Sequence, residues 1–169
     1  MSKPKTTYQD FVIRQLLSIF SLYTIEEIKN NQGFKAVIER MIRWYPEITA
    51  TGKKTYQQLP AYKTCFKATT KAFDILTTAT SYQGLSMEHT PGVTAVVNEI
   101  INLATQHTIP QIEHLHLILD GYEVIIMTPS QCSLINKSRF KSAGSLEERL
   151  KLIGDIIEPE TEQNSLFKV

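Results

Sequence analysis

The chain has 169 residues, 42% of them hydrophobic and 21% charged, and its 18 Lys and Arg against 17 Asp and Glu leave a net charge of +1. A chain of this length buries about 68–70% of its unfolded surface, so it needs no disulfide or metal to hold a core. The composition excludes collagen-like, mucin-like and globally disordered classes.

Lys3 and Lys5 precede no uninterrupted apolar run, so no Sec signal peptide is expected. No stretch of about 18 apolar residues predicts a membrane span. Thr7-x-x-Asp10 opens a first helix whose apolar residues are Tyr8, Phe11, Val12, Leu16, Ile19, Phe20 and Tyr23. Thr24-x-x-Glu27 is a capping box that starts a second short helix or extends the first. Phe34, Val37, Ile38, Met41, Ile42 and Tyr45 form the next helical stripe, which Pro46 is expected to end. A polar loop over 47–58 leads to a long helix from about Pro60 to Ser81, with Tyr62, Cys65, Phe66, Thr69, Phe73, Leu76 and Ala79 inward. Residues 81–90 read as a loop. Thr90 is then a helix cap and Pro91 a first helical residue, ahead of Val93, Val96, Val97, Ile100 and Ala104.

Asp120-Gly121 separates two β-prone runs, Leu115–Leu119 and Tyr122–Met127, and predicts a hairpin that pairs Leu119 with Tyr122, Leu117 with Val124 and Leu115 with Ile126. The rival reading is a helix over 111–119, because Ile112, Leu115, His116 and Leu119 also fit a period of 3.6. Pro129 to Gly144 reads as a loop with some helical potential. Ser145-x-x-Glu148 caps a last helix through Leu146, Leu150, Ile153 and Ile157. The expected fold is therefore mostly α, with four to six helices around a single core and one β-hairpin near residues 114–127. Residues 1–157 form one helical domain, and 158–169 a flexible acidic tail.

The small net charge hides a segregation. Residues 29–71 carry +7, residues 72–136 contain no Lys or Arg and carry −6, residues 137–151 carry +3 and residues 152–169 carry −3. On the predicted helices Lys63, Lys67 and Lys71 stand four apart as a ladder, and Arg40 and Arg43 share a face. With Lys53 and Lys54 between them, these seven cations are the candidate surface for phosphates or an acidic partner. The alternative is an ordinary solvated face.

Cys65 and Cys132 have no CxxC partner and read as small buried hydrophobes. His114-x-His116 on a strand, with Glu123 nearly opposite, offers two imidazoles and a carboxylate to a metal but lacks a fixed further donor. Thr51-Gly52-Lys53-Lys54-Thr55 lacks the spacing of a phosphate-binding loop. GxSxG, HExxH and GxGxxG are absent. No catalytic, cofactor-binding or metal-ligating residue is therefore assigned, and no cofactor is expected.

The tail carries the most specific pattern. Gln163-Asn164-Ser165-Leu166-Phe167 resembles the Q-L-[SD]-L-F peptide by which bacterial polymerases and repair proteins bind the replication sliding clamp, with Asn164 in place of leucine. The resemblance implies that Gln163, Leu166 and Phe167 fill the clamp groove. Glu158, Glu160 and Glu162 ahead of Leu166 and Phe167 also resemble the C-terminal export signal of Dot/Icm-type effectors. A third reading has Leu166 and Phe167 docking back on the domain.

The expectation from sequence is a non-enzymatic protein–protein interaction module, an adaptor or small subunit of a larger assembly in the cytoplasm, forming homo- or hetero-oligomers. One alternative is a helical subunit that binds DNA or RNA through its basic face, joined to replication or a nucleoprotein complex. The other is a bacterial effector exported by a non-Sec route to act on a host protein.

Overall fold

The computed structural model describes residues 7–51, 65–78, 80–81, 83–107, 110–137 and 146–158. These residues fall into two compact units, each assembled from two segments of chain: residues 1–53 with 93–122, and residues 54–92 with 123–169. No described helix is long and apolar enough to cross a membrane.

The first unit is helical. α1 (Tyr8–Leu22) starts at a reciprocal cap, in which the Asp10 amide donates to Thr7 Oγ1 at 3.1 Å and the Thr7 amide donates to Asp10 Oδ2 at 3.1 Å. α2 (Ile25–Asn30) repeats the device with Thr24 and Glu27. Six residues are too few to hold a helix by propensity, and the fully buried Ile28 supplies the anchor, worth about 1.5–3 kcal/mol. Asn31 then accepts from the Gly33 amide at 2.9 Å, and α3 (Gln32–Thr51) follows. Pro46, expected to end this helix, instead lies inside it. A proline forfeits one hydrogen bond, and here the buried side chains of Ile38, Ile42 and Tyr45 keep the helix against the core.

α5 (Val93–His107) and α6 (Ile112–Asp120) complete the unit. Val12, Leu16, Ile28, Ile38, Ile42, Val96, Ile100, Leu115 and Leu119 meet in its core without solvent contact.

The second unit carries a four-stranded sheet. Its elements are β1 (Lys67–Thr69), α4 (Thr70–Thr78), β2 (Ser86–Thr90), β3 (Glu123–Met127), α7 (Pro129–Lys137), α8 (Leu146–Ile153) and β4 (Ile156–Ile157). The strand order is β2-β3-β1-β4, with β1 and β3 parallel and the other pairs antiparallel. One sheet face packs Phe66, Ala68, Val124 and Ile126 with Ala72 and Leu76 of α4. The other packs Ile125 and Met127 with Ile135 of α7 and Ile153 of α8.

Gln131 ties this second layer together. It is only 4% exposed, and its Oε1 accepts from Thr69 Oγ1 at 2.9 Å, from the Thr128 amide at 3.0 Å and from Thr128 Oγ1 at 3.0 Å. Its Nε2 donates to the Ile153 carbonyl at 2.6 Å. One buried carboxamide therefore joins the ends of the two parallel strands to the end of α8.

The α-dominant class holds, but the count and the β component differ from expectation. Eight helices, not four to six, and a four-stranded sheet, not a lone hairpin, lie among the described residues. The hairpin at 114–127 does not form. Residues 112–120 are helical, and Gly121 closes the helix with φ −79° and its amide on the Leu117 carbonyl. A tight I′ hairpin needs positive φ at that glycine. The long helix over 60–81 is instead β1 followed by the nine-residue α4, and residues 86–90 of the expected loop are β2. Thr90 ends β2 rather than capping a helix, and α5 begins at Val93. Residues 129–137 are helical, and the last helix stops at Ile153, so Ile157 lies in a strand. In place of a single core there are three buried clusters, one in the first unit and two flanking the sheet of the second.

Candidate interaction surface

α5 and α6 are both amphipathic. α5 turns Val93, Val96, Val97, Ile100, Ile101 and Ala104 inward, and that periodicity leaves Thr94, Asn98, Glu99, Asn102, Thr105 and Gln106 outward. α6 is too short to bury a broad stripe. It seats Leu115 and Leu119, four apart, and so exposes Leu117 (71%) and Ile112 (47%).

Between the two helices lies an open groove of about 320 Å³, lined by Glu99, Asn102, Leu103 and Gln106 of α5 and by His114, Leu117 and Ile118 of α6. At its end the His107 and His114 rings stand 5.7 Å apart, and His114 Nδ1 is buried without a hydrogen-bond partner among the described residues. No Lys or Arg occurs anywhere in residues 93–122, so Glu99, Glu113 and Asp120 give these helices a net negative surface. Asp120 Oδ1 accepts from Gln9 Nε2 at 2.9 Å. Tyr45 lies near this pair, and burial pushes its phenol up to about 12, the Asp120 charge adding to the push.

α3 presents the opposite character. Its solvent side runs through Ala36, Val37 (53% exposed), Arg40 and Arg43, with Lys35 beside it and Glu39 half-buried. The Arg40 guanidinium lies 5.9 Å from the Trp44 ring centroid. Phe34, one turn before Val37, contacts Tyr23, with ring centroids 4.3 Å apart.

Of the seven candidate cations, the four among the described residues are not arranged as expected. Arg40 and Arg43 stand on α3, but Lys67 lies on β1 and Lys71 in the first turn of α4, so the helical lysine ladder does not exist. Lys67 Nζ is held by Glu123 Oε2 at 3.1 Å and Glu158 Oε1 at 3.3 Å. Partial burial pulls its pKa down, but the hydrogen bonds and charges of Glu123 and then Glu158 outweigh that and raise it. Lys53, Lys54, Lys63, Gln163, Leu166 and Phe167 lie outside the described residues.

His114 and His116 do not share a strand face with Glu123 across from them. They sit two apart on a helix, and Glu123 pairs with Lys67. Among the described residues no three His, Cys, Asp or Glu side chains converge as a metal site. In the second unit the Cys132 thiol lies 3.6 Å from Glu88 Oε2 and receives the Asn136 amide at 3.2 Å.

Sequence reading missed the exposed Leu117 because the strand reading put it on the buried face. It also missed the cap at the start of α7, although Thr128-Pro129-x-Gln131 has the T-x-x-Q spacing with proline at the first helical position. Comparison with protein-family models, with curated proteins and with solved structures finds no match for this chain.

Proposed function

We propose that the chain is a non-enzymatic protein-interaction module, an adaptor or small subunit whose first unit receives a partner along α5 and α6. The observation that carries this reading is the α5–α6 groove, lined by the exposed Leu117, on two helices whose surface carries acids and no Lys or Arg. Apolar grooves rimmed by one sign of charge are the form in which helices of partner proteins are recognised. The apolar floor supplies affinity, and the acids select and steer a basic partner.

The experiment compares proteins cross-linked in source cells to the wild-type chain with those cross-linked to Leu117→Lys. Leu117 is exposed, so the substitution leaves the core intact. A set of partners lost with Leu117→Lys supports the reading. Identical sets from the two proteins refute it.

A further inference from the structure

We propose that the α5–α6 groove takes the exposed stripe of α3 from a second copy of this chain, in a head-to-tail contact. The proposal rests on the interaction reading above and names the partner.

The argument is one of matched chemistry. The groove offers Leu103, Leu117 and Ile118 as an apolar strip and Glu99 as a lining acid, with Glu113 exposed one turn before Leu117. The α3 stripe offers Val37 as an exposed apolar ridge, with Phe34 and Tyr23 behind it and Arg40 and Arg43 ahead of it. Apolar residues would meet apolar residues while the exposed Arg40, with Lys35 beside it, meets the acids. A ridge of one helix seated between two others is the ordinary geometry of helix packing. A groove of about 320 Å³ accommodates one or two side chains of the size of Val37 rather than a broad sheet surface.

The two surfaces share no residue. α3 packs on α1, α2 and α5 through its buried stripe, while α6 packs on α1 and α5. A contact between unlike patches is heterologous. It repeats from copy to copy and either closes into a ring or extends. This differs from a two-fold dimer in a way that can be measured.

The test uses the full chain in sedimentation velocity over a concentration series up to about 100 µM, at about 50 mM and about 500 mM salt. Two variants accompany it: Val37→Glu with Arg40→Glu, which spoils the ridge, and Glu99→Lys with Leu117→Lys, which spoils the groove. All four positions lie on the surface. The wild type is expected to exceed dimer mass at low salt, with association weakened about tenfold or more at high salt. Each variant alone is expected to stay monomeric. Their equimolar mixture, which retains one good ridge and one good groove, is expected to stop at dimer.

A wild type that is monomeric throughout overturns the proposal, and so does one that stops at dimer. A mixture that stays monomeric while the wild type associates also overturns it. In each of those cases, partners lost from Leu117→Lys in the cross-linking experiment would leave the interaction reading standing with a different occupant.

Discussion

Replacing Gln131 by leucine isolates what one buried carboxamide contributes to the second unit. The substitution keeps the approximate volume and apolar packing of the side chain but removes an acceptor of three hydrogen bonds and a donor of one. Thr128 is partly exposed, so water can satisfy its amide and hydroxyl. Thr69 is fully buried, so its hydroxyl loses its acceptor even though its oxygen still accepts from the Ala72 amide at 3.3 Å, and the Ile153 carbonyl, which faces a side chain with almost no solvent contact, loses the Gln131 donor. A buried polar group stripped of its partner costs about 1–3 kcal/mol, which puts the loss at about 2–6 kcal/mol. Urea unfolding followed by circular dichroism reads this directly. With a slope of about 2 kcal/mol per molar, the midpoint of the transition that reports the sheet should fall by about 1–3 M. Gln131→Glu keeps the acceptors but cannot donate to the Ile153 carbonyl when ionised, and should be destabilised as well. A shift of less than about 0.5 kcal/mol for Gln131→Leu would show that the network is ornamental and the reasoning wrong.

Three further outcomes are expected. Leu115→Ala should cost about 2–5 kcal/mol and Leu117→Ala less than about 0.5 kcal/mol, because only the first fills the core; equal costs would restore the hairpin, in which both residues share a face. Tyr45 should ionise near 12 in an ultraviolet titration, in a step missing from Tyr45→Phe. Because the unfolded phenol releases its proton near 10.0 and the folded one later, stability should decline as pH climbs from about 10 toward 12, and Tyr45→Phe should flatten that decline. Glu27 is held below its ordinary 4.5 by hydrogen bonds from the Thr24 amide and hydroxyl, so its contribution is present above 4.5 and lost as pH falls through the lower folded value. The acid limb of stability should therefore be shallower in Glu27→Gln, and an unchanged limb would count against the cap.

What could be read from the sequence was local. The caps at Thr7 and Thr24 involve groups three residues apart, and the stripe through Ile38, Ile42 and Tyr45 is a property of one helix, so both survive into the structure. Asp120-Gly121 shows the limit. The same dipeptide serves a hairpin or closes a helix, and the choice rests on where β3 finds its partners. Those are Ser86–Thr90 and Lys67–Ala68, which carry little β signature of their own. A strand such as Ser86-Met87-Glu88-His89-Thr90 is made by its neighbour rather than by its propensity. The lysine ladder failed for the same reason. Lys67 lies in β1, paired in register with Ile125 of β3, so no helix runs from it to Lys71. The candidate groove could not be seen in advance, because exposing Leu117 depends on deciding between a period of two and a period of 3.6.

The interleaving of the two units has its own consequence for synthesis. The boundary is crossed at residues 53, 92 and 122, so no uninterrupted stretch of chain contains either unit whole. On the ribosome, α1 to α3 emerge first and must wait for α5 and α6 before their apolar stripe is covered. β1, made next, waits through that whole interval for its parallel neighbour β3 and longer still for β4. Neither half can be released early, so a nascent chain halted near residue 92 would display two unfinished cores at once, a target for chaperones rather than a folded intermediate.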